Sequence, residues 1–198
     1  MHLRVIRTAL ALAALSAAAS AGAADPAAGK AKFVESCVAC HGPGTAPSGA
    51  VAPVLDAQPD NFLQWQLVYF RTETRKDPVM TPIAASLGNP DIRNIGAYLS
   101  SLPPPEQQQV RDDRPDLSEA GQQLAIANHC ASCHMDGFVG KDAVARLAGQ
   151  REAYLLKALR DFKSGARRGG GVAAMPDAVY PLSDQGLQAL AHYLSRLR

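Results

Sequence analysis

Two five-residue blocks, Cys37-Val38-Ala39-Cys40-His41 and Cys130-Ala131-Ser132-Cys133-His134, hold every cysteine of the 198-residue chain. On one helical turn, cysteines at i and i+3 share a face and can form two thioethers to one porphyrin edge. The residue that follows then sets an imidazole under the ring. This is the attachment signature of c-type haem, so the chain is expected to carry two covalently bound haems c. Cys37, Cys40, Cys130 and Cys133 are the anchors, and His41 and His134 the first iron ligands. Three other chemistries use cysteine pairs. Two disulfides would not account for a histidine after each pair. A dithiol redox site belongs in a βαβ context that is absent here. A zinc site would want its pairs much closer than the 89 residues between Cys40 and Cys130 allow.

The opposite side of each iron follows by elimination. Apart from Met1 the chain holds Met80, Met135 and Met175. Met135 directly follows His134 and is too close to it to serve the opposite face of the same haem. Met80 lies 39 residues after His41 and Met175 lies 41 after His134. An isolated methionine is more often core filler, but one that recurs at the same place in two repeats reads as an axial ligand. His129 and His192 have no counterparts in the first repeat, and His129 reads as a haem-edge or surface residue. With His and Met on both faces no coordination position is open to substrate. The iron can only change oxidation state, with the neutral thioether favouring Fe(II). The expected role is electron carrier, not enzyme.

The elements that position these groups are themselves repeated. Gln58-Pro59-Asp60-Asn61-Phe62-Leu63 aligns with Gln150-Arg151-Glu152-Ala153-Tyr154-Leu155 at an offset of 92, as do Phe70 with Phe162 and Arg75 with Arg167. Beyond Gly169-Gly170-Gly171 the offset becomes 95, pairing Met80 with Met175 and Tyr98-Leu99-Ser100 with Tyr193-Leu194-Ser195. Two tandem domains of one type explain this better than one. Phe62, Leu63, Gln66, Leu67 and Phe70 recur at helical spacing, as do Tyr154, Leu155, Ala158, Leu159 and Phe162. Asn89-Pro90-Asp91 and Ser183-Asp184 read as helix starts. No run shows strand-like alternation, so the fold class is all-α with long loops. Only 6% of residues are aromatic, a thin core for such small domains, and a buried haem would supply the missing apolar mass.

Residues 1–24 combine Arg4 and Arg7, an uncharged Ala/Leu-rich stretch and small residues at its end, which are the parts of a secretory signal peptide cleaved after Ala23 or Ala24. The domains are then expected at 25–102 and 116–198. They are joined by a Pro-rich linker at 103–115 that opens with Pro103-Pro104-Pro105. Removing the leader's two arginines leaves 18 basic against 18 acidic residues, without the basic excess that nucleic-acid binding requires.

At this point the chain resembles a dihaem class I cytochrome c, most closely the cytochrome c4 family. The resemblance spans the whole chain after the leader. It rests on both Cys-x-x-Cys-His blocks, on Met80-Thr81-Pro82-Ile83-Ala84-Ala85-Ser86-Leu87, and on the Leu-x-x-Gln-Leu pattern of Leu63–Leu67. It implies two cytochrome c lobes about an approximate two-fold axis, with haems facing each other. It also implies a periplasmic monomer that passes electrons to a terminal oxidase or other respiratory complex, loosely attached to the membrane. Two alternatives stand beside it. The chain could be the dihaem subunit of a periplasmic dehydrogenase. A dihaem peroxidase-type enzyme would need a displaceable ligand and an acid/base group over one haem, and no such group is evident. The chain departs from the family pattern at two places. Where the family has a proline over the proximal histidine, present here as Pro53, the second repeat has Ala145, which leaves the partner of the His134 ring N–H open. The segment Met175-Pro176-Asp177-Ala178-Val179-Tyr180-Pro181-Leu182 also differs from its counterpart.

Overall fold

Each half of the chain begins with a helix that must cross the helix that ends it, and a glycine permits the crossing. In the computed structural model, which describes residues 23–42, 51–104, 112–168 and 173–198, α1 (Pro26–Ser36) packs on α5 (Asn89–Ser100), and α6 (Pro115–Ala127) packs on α10 (Asp184–Arg196). A β-carbon at Gly29 would lie 1.9 Å from the Asn94 carbonyl oxygen, and one at Gly121 would lie 2.2 Å from that of Ala189. Only glycine lets the backbones approach this closely. The leader expected over 1–24 lies, up to residue 22, outside the described residues.

Between the crossing helices run α2 (Val38–His41), α3 (Asp60–Arg71) and α4 (Met80–Ala85) in the first lobe. The second lobe has α7 (Ala131–His134), a 3₁₀ turn at Asp136–Phe138, α8 (Glu152–Ser164) and α9 (Ala174–Val179). Among the described residues the one β feature is an isolated bridge between Lys141 and Val144. The apolar faces of α3 and α8 are those the periodicity predicts: Leu63 and Phe70 are buried on one, Leu155, Leu159 and Phe162 on the other. They close on Ile92, Ile95 and Leu99 of α5, and on Leu187, Leu190 and Leu194 of α10.

One aromatic core position is missing from the second lobe and is compensated from elsewhere in the chain. Phe33 of α1 meets Tyr98, ring centroids 5.8 Å apart. Its counterpart on α6 is Ala125, and the missing ring comes from Phe138 in the 3₁₀ turn, edge-on to Tyr193 at 6.2 Å.

Helix starts follow local chemistry. Asp25 caps α1 through the Ala27 and Ala28 N–H groups, with Pro26 in the first turn. Ser183 caps α10 by accepting from the Gly186 N–H. Asn89, expected from its sequence to cap α5, is instead the first helical residue. The cap is Gly88, whose N–H donates to Asp91 Oδ2 at 2.9 Å. The Asn89 side chain is held elsewhere, accepting from Arg71, which also donates to the Leu87 carbonyl.

The end of the linker is fastened to the second lobe. Asp112 accepts from Ser118 Oγ at 2.6 Å and lies 3.0 Å from Nε2 of His192, while Arg114 meets Glu152. The hydrogen bonds from Ser118 and His192 bring the Asp112 carboxyl down to about 2.

Replacing Gly121 by alanine is expected to force α6 away from α10 and cost about 1–3 kcal/mol, as overpacking does. Urea unfolding of the purified protein reads this as a lower midpoint at unchanged slope. An unmoved midpoint would show that the crossing widens freely.

Candidate functional site

Both Cys-x-x-Cys-His blocks are single helical turns. The His41 N–H donates to the Cys37 carbonyl at 3.0 Å, and the His134 N–H to the Cys130 carbonyl at 3.1 Å, which sets the cysteines of each block on one side of the turn. None of the four cysteines is joined in a disulfide, which leaves each sulfur available for a thioether. Burial pushes the Cys37 thiol up to about 11 and raises Cys130 as well. A redox dithiol needs the opposite shift. Among the described residues no group of three metal-ligating side chains includes a cysteine.

His41 and His134 are each 8% exposed. Nδ1–H of His41 donates to the Pro53 carbonyl at 2.9 Å, and that of His134 to the Ala145 carbonyl, also at 2.9 Å. Ala145 therefore fills the role for which the sequence offered no proline, because a backbone carbonyl accepts equally well from any residue that the loop holds in place. Burial lowers the pKa of both histidines. A neutral imidazole that donates from Nδ1 carries its lone pair on Nε2, the state a metal ligand needs.

Met80 opens α4, which packs on α3, and Met175 is the second residue of α9, which packs on α8. Both are half-buried. The two segments are held differently. Asp77 Oδ1 accepts from the Val79 and Met80 N–H groups, and the Asp77 N–H donates to Thr81 Oγ1. The α9 start has no side-chain cap, while Met175 packs against the second core.

Between the lobes lies a cluster that sequence reading aligned without assigning it a role. Arg75 stacks over Phe70 and Arg167 over Phe162, each at 4.4 Å from the ring centroid. Both donate to Gln66 Oε1 at 2.8 Å, and Arg75 also reaches the Tyr154 hydroxyl. Arg167 is 6% exposed and its Nε has no partner. Among the described residues no carboxylate forms an ion pair with either guanidinium. Burial raises the Tyr154 pKa, but the two cations outweigh it and bring the phenol down to about 8. A buried cation such as Arg167, with the half-buried Arg75 beside it, calls for an anion, and haem c carries two propionate carboxylates. The donor set of this seam fits that group. The visible signal in the sequence was the recurrence of Arg75 as Arg167.

Two other histidines lie among the described residues. His129 is exposed. His192 is fully buried with both ring nitrogens engaged, Nε2 to Asp112 and Nδ1 to Glu152 at 3.1 Å. Among the described residues no helix is long and apolar enough to cross a membrane.

Comparison with known proteins follows the same division of the chain. The family model described as "Cytochrome c" matches residues 118–198, and "Cytochrome C oxidase, cbb3-type, subunit III" matches 24–99. The crystal structure of reduced recombinant cytochrome c4 from Pseudomonas stutzeri superposes with a TM-score of 0.77 and 30% identity, over 89% of this chain and 100% of that one. The thiosulfate dehydrogenase TsdBA from Marichromatium purpuratum superposes with a TM-score of 0.75 and 28% identity over 87% of this chain, which spans only 40% of that longer protein. The "Thiosulfate dehydrogenase electron acceptor" of Thiomonas intermedia is 30% identical over 169 residues, 81% of this chain and 77% of its own. The chain thus belongs to the dihaem cytochrome c4 family, an electron carrier of two tandem class I cytochrome c domains with covalently bound haem c.

Proposed function

We propose that this chain carries single electrons in the periplasm from a dehydrogenase to a terminal oxidase or other respiratory complex. Residues 25–102 and 116–198 form the two haem domains, and residues 1–24 are the export leader. Cys37, Cys40, Cys130 and Cys133 are the thioether anchors, His41 and His134 the proximal ligands, and Met80 and Met175 the ligands opposite. The observation that carries this reading is the duplicated bond from a buried histidine Nδ1–H to a backbone carbonyl, directly after each cysteine pair.

Bound haem c supplies a one-electron iron couple. The protein's part is to hold the surroundings constant while the charge changes. The Pro53 and Ala145 carbonyls fix ring orientation and keep Nε2 as the lone-pair nitrogen. Asp77 fixes the backbone that presents Met80. Arg75 and Arg167 place positive charge at the seam, which opposes the extra charge of the oxidised state.

A second reading, that of a carrier docked to one dehydrogenase, is favoured by the likeness to the Thiomonas electron acceptor and to TsdBA. Purification of the native protein separates the two. A dehydrogenase that stays bound through size exclusion supports the docked subunit. A free protein that is reduced by the dehydrogenase and reoxidised by respiratory membranes supports the shuttle.

Two further outcomes are expected. Acid–acetone extraction should leave two haems on each chain, and the double variant Cys130→Ala/Cys133→Ala should keep one. Retention of two would place the second attachment elsewhere. Met80→Ala and Met175→Ala should each remove about half of the sulfur–iron charge-transfer absorbance of the oxidised protein, since each haem contributes one such bond. A Met175→Ala spectrum identical to wild type would assign that position to another ligand.

A further inference from the structure

We propose that Gln58 and Gln150 are positioning residues that act across the seam, each setting the hydrogen-bond acceptor of the other lobe's proximal histidine. This rests on the reading of His41 and His134 as iron ligands.

The geometry is reciprocal. Gln58 of the first lobe, 4% exposed, donates from Nε2 to the Arg146 carbonyl at 2.8 Å and accepts from the Arg146 N–H at 3.0 Å. That N–H belongs to the same peptide group as the Ala145 carbonyl, which accepts from His134 Nδ1. Gln150 of the second lobe, 5% exposed, donates to the Val54 carbonyl and accepts from the Val54 N–H, both at 2.8 Å. That N–H shares its peptide group with the Pro53 carbonyl, which accepts from His41 Nδ1. In each lobe one peptide is thus held at both ends, its oxygen by the histidine of its own lobe and its N–H by the glutamine of the other.

An acceptor on a peptide N–H draws electron density toward the carbonyl oxygen, and linked hydrogen bonds strengthen one another by about 10–30% per bond. A stronger acceptor at Nδ1 makes the imidazole more electron-donating through Nε2 and favours the oxidised iron. Removing a glutamine should therefore raise the potential of the haem in the opposite lobe. Other ties across the seam, such as Phe62 N–H to the Asp142 carbonyl and Arg151 to the Ala52 carbonyl, fall on different peptides. Both glutamines, 92 positions apart, select the one peptide that faces a histidine. At Ala145, which has no proline ring to stiffen the loop, the grip of Gln58 adds to ties within the lobe, the Lys141–Val144 bridge and the bonds from the Leu147 and Ala148 N–H groups to the Phe138 carbonyl. The arrangement is not fully symmetric. Gln150 Oε1 also accepts from the Arg151 N–H at 2.9 Å, so its pull on the Pro53–Val54 peptide is shared and the weaker of the two.

The test uses the full dihaem protein, with each couple assigned by combining the variants with Met80→Ala or Met175→Ala. Gln58→Leu should raise the reduced-to-oxidised ratio of the His134 haem at fixed ambient potential by roughly threefold, about 30 mV at 59 mV per tenfold, and leave the His41 haem unmoved. Gln150→Leu should do the converse, by less. In the reduced protein, NMR should show the His134 Nδ1–H signal moving upfield in Gln58→Leu while that of His41 stays. Gln58→Glu puts a stronger acceptor on the same N–H and should shift the His134 couple the other way. It carries the test through that sign if the leucine variant does not assemble. A shift in the glutamine's own lobe, equal shifts of both haems, or none would overturn the proposal. Potentials and N–H signals are measured without a redox partner, so failure to exchange electrons with a dehydrogenase or an oxidase bears on the proposed function alone.

Discussion

A buried imidazole that stays neutral and keeps its lone pair on Nε2 needs a carbonyl at Nδ1, and much of this structure exists to deliver two of them. Pro53 and Ala145 lie on loops without regular structure. The Ala145 loop is tied within its own lobe on either side, by the Lys141–Val144 bridge and by the Leu147 and Ala148 N–H groups on the Phe138 carbonyl. The peptide that carries each histidine's acceptor has a further hold. The helices provide the frame: α1 across α5 and α6 across α10, brought together at Gly29 and Gly121, with α3 and α8 closing each core. The remaining constraint comes from the opposite lobe, through Gln58 and Gln150. Each histidine's carbonyl thus belongs to a peptide held from both lobes.

The parts legible in the sequence were those with a local code. The Cys-x-x-Cys-His blocks state their spacing outright. The helix faces of Leu63–Phe70 and Leu155–Phe162 follow from periodicity, and the repeat offsets reveal the duplication. What escaped was chemistry carried by the backbone or by non-local contact. Ala145 has no side-chain signal for a carbonyl acceptor, since the accepting atom is common to every residue. Phe138 replaces the ring of Phe33 from another segment of its lobe, a substitution visible only once the chain has folded. Asn89 carries a strong capping signal, yet the reach of Arg71 from α3 claims its side chain. Arg75 and Arg167 were apparent as a repeated pair, but that they meet on Gln66 depends on the docking of the lobes.

The duplicated lobes differ where they face solvent. On α3, Trp65 stacks on Tyr69 at 5.6 Å. The corresponding residues of α8, Lys157 and Asp161, form an ion pair at 2.5 Å. Surface positions carry little of the fold's energy, in aromatic or ionic form, and were free to diverge. At the seam two pairs are kept, although other positions there differ, such as Gln66 against Ala158 and Phe62 against Tyr154. Gln58 and Gln150 remain identical, as do Arg75 and Arg167, because a buried amide or guanidinium left without its partner costs more than the bond itself contributes.

That contrast explains why the duplication persists as one chain. In an isolated lobe, Gln58 and Gln150 would give up a buried backbone partner for water, and the peptides at 53–54 and 145–146 would lose the acceptor that polarises them. The lobe would still fold around its own core, since the core clusters do not mix residues of the two halves. Its histidine would keep a carbonyl, though one whose peptide N–H has lost its glutamine. Stability therefore resides within each lobe, whereas the fixed environment of each proximal histidine belongs to the pair.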